Sequence, residues 1–351
     1  MEKVSVIAIT KKGIQIALSL KKLFSNWSVY APSKFSNNSQ EVEWFTEPTA
    51  ITLGKLFKSN DALVCIFSLG AVVRLIIPYI KDKKTDPAVI VIDDAAKFVI
   101  SALSGHLGGA NKLTEEIARG LSAVPVITTA ADVNKTIAVD LLGREFGWKI
   151  DDDGTVTKVS AFMVNEEKIG VYQDAGEKNW WAKELPKNVK LYDTVEELRN
   201  SQCVGYLIIS DVLIDDEKTK NAVVYRPLTL VVGVGLHGDT TKEKIKESLD
   251  SCFKKFKLST KSIARFSSIK KTVEVKGFKE LSEEMGIPIE YYDKEDLANI
   301  NIPNPSKTVQ NFEGIPSVSE ASAMKSSGGK LVVEKQKFPP DLTIAIARII
   351  R

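Results

Sequence analysis

The chain has 351 residues, 44% hydrophobic and 26% charged, a composition typical of a globular protein with enough apolar material for two or three cores. Its 48 Lys and Arg against 45 Asp and Glu leave a formal net charge of +3, too even for nucleic acid as the main partner, although a local basic patch for a carboxylate-rich small molecule is compatible with it. Cys65, Cys203 and Cys252 are far apart and odd in number, which argues against a disulfide framework or a Cys-x-x-Cys metal knuckle, and no apolar run approaches a membrane span, so the cytoplasm is the expected compartment.

In chain order, Val4 to Thr10 reads as a strand and Gly13 to Phe24 as a helix with Ile14, Ala17, Leu18 and Leu20 clustered on one side. Short strands follow at Trp27 to Ala31 and Val42 to Phe45, then a helix from Thr49 to Lys58 after Pro48. The apolar run Leu63 to Phe67 leads into a helix carrying Arg74 among Val72, Val73, Leu75, Ile76 and Ile77. A buried arginine there would need a partner or ligand, whereas one whose head reaches the surface would not. Lys81, Lys83 and Lys84 precede Asp86-Pro87 and the strand Ala88 to Ile92, which ends in Asp93-Asp94. Carboxylates at the carboxyl end of a strand stand where open α/β sheets tend to bind ligands.

The next stretch organises the chain: Ser104-Gly105-His106-Leu107-Gly108-Gly109-Ala110-Asn111, between a strand at Phe98 to Ala102 and a helix to about Arg119. Its glycines let backbone approach a ligand, and the first amides of the following helix lack intrahelical acceptors, which together make an anion site. Gly120 is placed for a left-handed helix cap. His106, one of two histidines, is the first catalytic candidate; the competing reading is a plain strand-to-helix connection with His106 bonded to backbone. Val124 to Thr128 then reads as a strand and Asn134 to Trp148 as a helix burying Ile137, Leu141, Leu142 and Phe146.

Asp151-Asp152-Asp153-Gly154 marks a first boundary and Pro227 a second, between which lie a helix near Thr155 to Val164 and strands at Lys168 to Tyr172 and Val204 to Ile209. Beyond Pro227, the strand Leu228 to Val232 leads to a second glycine turn, Gly233 to Thr240, containing His237, with Thr240 and Glu243 spaced as a capping box. Gly233-x-Gly235-x-x-Gly238 has dinucleotide spacing, yet the acidic residue expected about twenty positions on is missing and that segment reads as helix. Ile287 to Tyr292 reads as a strand, Ser317 to Ser326 as a helix bearing Glu320, and Leu331 to Glu334 and Leu342 to Ala347 as strands, with Lys335 just after the first. The fold expected is α/β: three consecutive α/β pieces, 1–150, 151–226 and 227–351, with open, mostly parallel sheets and helices on both faces.

The chain resembles, over nearly its whole length, the cobalamin-biosynthesis G proteins (CbiG), which are cobalt-precorrin-5A hydrolases. The resemblance is carried by Lys84-x-Asp86-Pro87-Ala88-Val89 with Asp93, the run 103–111, and Val126-Ile127-Thr128-Thr129-Ala130 with Asp132-Val133-Asn134. The carboxy-terminal piece is similar to a domain shared with a separate small cobalamin protein, through Gly233-Val234-Gly235, the run 314–321 and the run 331–336. One departure is that Leu236, His237, Gly238 and Asp239 stand where the family usually has a Cys-Arg-Arg-Gly-like run, which counts against a cysteine- or arginine-dependent role for this turn.

The resemblance implies opening of the ring-A acetate δ-lactone of a cobalt-containing tetrapyrrole, with release of acetaldehyde, and no cofactor or protein metal site, since cobalt comes with the substrate. With the residue reading above, His106 and Asp93 are the expected catalytic residues. The expected substrate-binding residues are Arg74, Lys84, Asp86, Ser104, Gly105, Gly108, Gly109, Asn111, Thr128 and Thr129, and in the last piece Gly235, His237, Thr240, Glu320 and Lys335, of which Arg74, His237 and Thr240 rest on the residues and not on the family's motifs. Water activated by a neutral His106 would attack the carbonyl, with amides of Gly108, Gly109 or Ala110 stabilising the oxyanion and either Asp93 or His106 taking the second proton. Hand-over to or from corrinoid methyltransferases and a homodimer are candidate associations; nucleic acid and membrane are not expected partners. Two alternatives are a non-catalytic corrinoid carrier and a dinucleotide-dependent enzyme.

Overall fold

Apolar runs without alternation, such as 62–66 and 88–92, and the run 4–8 broken only by Ser5, suit strands buried on both faces, and the computed structural model, which describes every residue except 38, 83–84, 215–219, 307–308, 311–313 and 351, places them at the centre of a sheet. The chain divides into two compact units, Met1–Leu141 and Leu142–Arg351. Among the described residues no helix is long and apolar enough to cross a membrane.

The strands of the first unit are β1 (Val4–Ala8), β2 (Ser28–Pro32), β3 (Glu43–Phe45), β4 (Ala62–Ile66), β5 (Ala88–Ile92), β6 (Phe98–Leu103) and β7 (Val124–Val126), in the spatial order β3-β2-β1-β4-β5-β6-β7. All neighbours are parallel except β5 and β6, which form an antiparallel hairpin. Helices α1 (Lys11–Leu23) and α4 (Ala110–Leu121) pack Ile14, Ala17, Leu20 and Ile117 against one face. On the other, α2 (Thr49–Ser59) and α3 (Leu69–Ile76) bury Leu53, Phe57, Val72 and Ile76.

The second unit holds two sheets. One comprises β8 (Lys149–Ile150), β9 (Ile169–Gln173), β10 (Val189–Tyr192), β11 (Gly205–Ile209) and β12 (Ala222–Arg226), ordered β10-β9-β11-β12-β8 and parallel apart from β8. The other comprises β13 (Leu230–Leu236), β14 (Ile263–Ile269), β15 (Ile289–Tyr292), β16 (Leu331–Phe338) and β17 (Leu342–Arg348). Its order is β15-β14-β13-β17-β16, with the first three parallel and the last two antiparallel. The α/β class with mostly parallel sheets is therefore as expected.

Several local expectations are corrected. The helix expected over 134–148 is absent; a single turn, α5 (Ala130–Val133), is followed by turns and a short 3-10 segment at Arg144–Phe146. Lys135, Gly143 and Gly147 all have positive φ, which breaks helical continuity, although Ile137 and Leu142 are buried as the periodicity suggested. The left-handed cap of α4 is Ser122, not Gly120. The segment after Ser262 read as helix is β14, whose buried Ser267 and Ser268 masked its strand character. Gly233 and Gly235 lie inside β13 and not in a turn, because the strand runs on to Leu236. The following helix, Lys242–Lys255, is capped by Thr241, whose side chain accepts from the Lys244 amide, and not by Thr240.

Gly233 is a packing glycine: a Cβ there would lie 1.9 Å from the Ser319 carbonyl oxygen and 2.8 Å from the Ala323 Cβ. Gly233→Ala is expected to destabilise the second unit by about 1–3 kcal/mol, as overpacking does. Urea unfolding monitored by circular dichroism would show it, and an unchanged midpoint would mean that the spacing between β13 and helix Ser319–Ser327 is slack.

Candidate functional site

The glycine turn bridges β6 and α4 in the first unit and is built around a buried amide. Asn111, in the first turn of α4, accepts from Ser101 Oγ at 2.6 Å through Oδ1, and its Nδ2 donates to Thr129 Oγ1 at 2.8 Å and Asp132 Oδ2 at 2.6 Å. A strand, a helix and the start of α5 are thus pinned by one side chain. Gly105 leaves room for it, since a Cβ at that position would lie 2.6 Å from Asn111 Oδ1, and Gly109 enters the helix at φ 80°, a conformation glycine adopts without strain.

His106 projects from this turn between two carboxylates. Its Nε2 lies 3.0 Å from Asp132 Oδ2 and its Nδ1 lies 3.3 Å from Asp140 Oδ1. The imidazole is 14% exposed, Asp140 23% and Asp132 44%, so Asp132 is the solvent-facing member. The hydrogen bond to Asp140 raises the His106 pKa above its ordinary value; burial opposes this, and the charges of Asp140 and Asp132 reinforce it. The ring therefore favours the imidazolium form more than a free histidine does, which qualifies the expectation of a neutral base.

The turn also uses its own amides. Those of Gly109, Ala110 and Asn111 donate to the carbonyls of His106, Ser104 and Gly105, leaving only Gly108 of the three expected oxyanion donors uncommitted to the turn among the described residues. Ser104, itself at φ 55°, donates its hydroxyl to the Asp86 carbonyl, and the buried Asp86 carboxylate accepts from the Lys81 amide at 2.9 Å. Those two residues hold the turn in place from behind. Thr128 is exposed next to the cluster, and Lys84 lies outside the described residues.

Two expected site residues are not brought to this cluster. The antiparallel register Val89↔Leu103 and Ile92↔Val99 puts Asp93 and the glycine turn at opposite ends of the β5–β6 hairpin, on the order of 13 Å apart by strand rise. Asp93 accepts from the amides of Phe98 at 2.6 Å and Ala95 at 3.1 Å, closing the hairpin loop. Arg74 is exposed, with Nη1 on the Gly70 carbonyl at 3.1 Å, so its head reaches the surface as in the simpler of the two sequence readings. Conversely, Asp140 and Ser101 carried no motif. The one available signal was that a working histidine needs an orienting group on its second nitrogen, and Asp132 had stood only inside the Asp132-Val133-Asn134 run.

In the second unit, Gly235, His237 and Lys335 border one cavity of about 560 Å³ beyond the end of β13. Thr240 and Glu320 stand behind it. Thr240 Oγ1 accepts from the His237 amide at 3.1 Å, and the fully buried Glu320 carboxylate accepts from the Lys335 amide at 3.1 Å and Asn304 Nδ2 at 2.8 Å. Burial lowers the Lys335 pKa, with Glu320 pulling the other way. Gly233, packed on a helix, and Gly235, beside Thr343, do not form the phosphate-cradling loop that a dinucleotide site requires.

Comparison with known proteins gives matches along the chain. Family models described as Cobalamin synthesis G N-terminal, Cobalamin biosynthesis central region and Cobalamin synthesis G C-terminus match residues 52–132, 137–227 and 230–347. A cobalt-precorrin-5A hydrolase of Priestia megaterium is 41% identical over 98% of this chain and 94% of its own. One from Salmonella typhimurium is 31% identical, with 81% of each chain covered. The solved structure of a cobalamin biosynthesis protein G homologue from Sulfolobus solfataricus aligns over 99% of this chain and 98% of its own, at 23% identity and a TM-score of 0.39.

Because the folded pKa of His106 is raised, its charged form stabilises the fold fully below the unfolded value of about 6.5, and that contribution is lost as pH rises through the folded pKa. Asp140→Asn removes the leading cause. Histidine NMR titration is expected to show His106 titrating above its unfolded value in the native chain and lower in the variant; coincident curves would show that Asp140 does not hold the ring.

Proposed function

The chain belongs to the cobalamin synthesis G family, and on that premise we propose that it hydrolyses cobalt-precorrin-5A at the His106–Asp132–Asp140 cluster, opening the ring-A δ-lactone and releasing the extruded carbons as acetaldehyde. The observation that carries the assignment is His106 held between two carboxylates on a turn locked by Asn111. The relatives named cobalt-precorrin-5A hydrolases supply the substrate.

Asp132 accepts from both His106 and Asn111 through Oδ2, which leaves Oδ1, on the most exposed carboxylate of the cluster, for a water molecule. That water attacks the lactone carbonyl while its proton passes to the Asp132–His106 pair. The C–O bond of the ring ester then breaks, and the proton taken from the water passes from Asp132, held by His106, to the departing oxygen, giving a carboxylic acid and an alcohol. Asp140 holds Nδ1 and keeps Nε2 directed at Asp132 throughout. The Gly108 amide is the donor available to the carbonyl oxygen. For the second step, removal of the alcohol proton as the carbon–carbon bond breaks and the macrocycle accepts the electron pair, the same cluster is the base, because Asp93 is committed at the far end of the hairpin. Cobalt enters with the substrate and needs no protein ligand in this scheme.

His106→Gln and Asp132→Asn are each expected to lower acetaldehyde release by about 10²–10⁴-fold, the usual weight of a positioned acid–base group, with unchanged circular dichroism. Near-native turnover in either variant would remove the cluster from the chemistry. A native chain that shifts the substrate absorption spectrum without forming acetaldehyde would instead be a carrier.

A further inference from the structure

Adjacent parallel strands are ordinarily joined through a helix, yet β9 and β10 are joined by the irregular segment 174–188. A connection of that length with no helix or strand of its own is uncommon in a compact domain and is usually functional. One side-chain amide shapes it: Gln173 Nε2 donates to the carbonyls of Ala175 at 3.0 Å and Glu177 at 2.8 Å, and Gln173 Oε1 accepts from Trp180 Nε1 at 2.7 Å. Trp148 Nε1 donates to the Glu177 carboxylate at 2.6 Å and ties the segment down from the other side. The segment borders a cavity of about 430 Å³ outside the carboxyl ends of β9 and β10, the rim at which open parallel sheets receive ligands.

The lining carries both signs of charge. Asp174 follows β9, and the register Tyr192↔Tyr172 brings Asp193 to the same rim on the neighbouring strand, one strand spacing of about 5 Å across. Lys178 and Lys183 enter from the loop. All four are exposed, and among the described residues the side chains of Asp193, Lys178 and Lys183 make no hydrogen bond or ion pair. Beside them stands an apolar surface: Trp181, its Nε1 fixed on the Glu184 carbonyl at 3.0 Å, and Leu191, which is 52% exposed.

We infer that this cavity binds a free α-amino acid with a large apolar side chain. The ammonium group lies between Asp174 and Asp193, the carboxylate meets Lys178 and Lys183, and the side chain rests on Trp181 and Leu191. Two groups of each sign suit a ligand that carries both charges itself. A polyanion would meet the two carboxylates and a polycation the two lysines, so the lining rejects either. Burial raises the Asp174 pKa, with a hydrogen bond from Ser210 opposing it and the Asp211 charge reinforcing it, so an arriving ammonium stabilises the charged carboxylate. The site holds its ligand and makes or breaks no bond, and it stands independently of the hydrolase reading.

L-Phenylalanine, L-leucine and L-methionine are the probes, each titrated into the full chain by calorimetry. At least one is expected to bind saturably, whereas phenethylamine and 3-phenylpropionate, which keep one charge each, should bind about ten-fold more weakly than L-phenylalanine, the weight of one lost charged contact. Asp193→Asn should weaken amino-acid binding by a similar factor and leave 3-phenylpropionate unaffected. The double change Lys178→Gln with Lys183→Gln should do the converse, sparing phenethylamine. Lys187→Gln, on the same loop outside the lining, should leave every affinity within about two-fold, and circular dichroism checks that each variant folds. No saturable binding by any of the three amino acids overturns the inference. So does a single-charge analogue that binds as well as L-phenylalanine, or amino-acid binding that ignores both Asp193 and the lysine pair.

Discussion

An imidazole placed between two carboxylates cannot be described by its own titration alone. Its two ring nitrogens are hydrogen-bonded toward Asp140 and Asp132, and Asp132 is the more exposed end of that line. In the proposed hydrolysis this changes the chemical character of the turn: the reacting group would be a hydrogen-bonded relay with a solvent-facing carboxylate, and the histidine in its middle would hold the proton between steps. Asn111 and the glycine turn help to keep the three side chains aligned. Asn111 couples two of the elements that carry them, and the internally bonded amides of the turn give it stiffness at the cost of anion-binding capacity.

The location of the relay follows from a reversal of chain direction. In a doubly wound sheet the crevice outside the carboxyl ends of the parallel strands is the usual ligand site. Here β6 runs against β5, so the turn that follows it emerges on the opposite rim, level with the entrance of β5 at Asp86. The second unit uses the usual rim, where the ends of β13 and β14 and the amino end of helix Ser319–Ser327 border the lysine-lined cavity. Two sheets in one chain thus carry polar clusters of different kinds among the described residues, one acidic around a histidine, the other rich in lysine.

Much of this was legible in the residues. The apolar runs of β1, β4 and β5, interrupted only by Ser5, announced strands, and the clustered glycines around His106 marked the turn. What was not legible involves partners distant in sequence. Asp140 is 34 positions from His106 and sits where apolar periodicity suggested a helix, so its role depended on turns at Lys135 and Gly143 that no local pattern distinguished. Asp93 was misleading for a related reason: a carboxylate after a strand looks the same whether it faces a ligand or closes a hairpin, and only the antiparallel partner decides. Gly233 and Gly235 looked like a loop because glycine is read as a breaker, whereas here its small size lets a helix backbone lie against the strand.

The hairpin loop closed by Asp93 has a consequence for how this chain can diverge. Surface loops ordinarily drift in length over generations with little penalty. One residue gained or lost between Asp93 and Phe98 would slide β6 by a single step, exchange its two faces, and carry Ser101 away from the amide it anchors at the far rim. The spacing of that loop is therefore tied through Ser101 and Asn111 to the distant histidine.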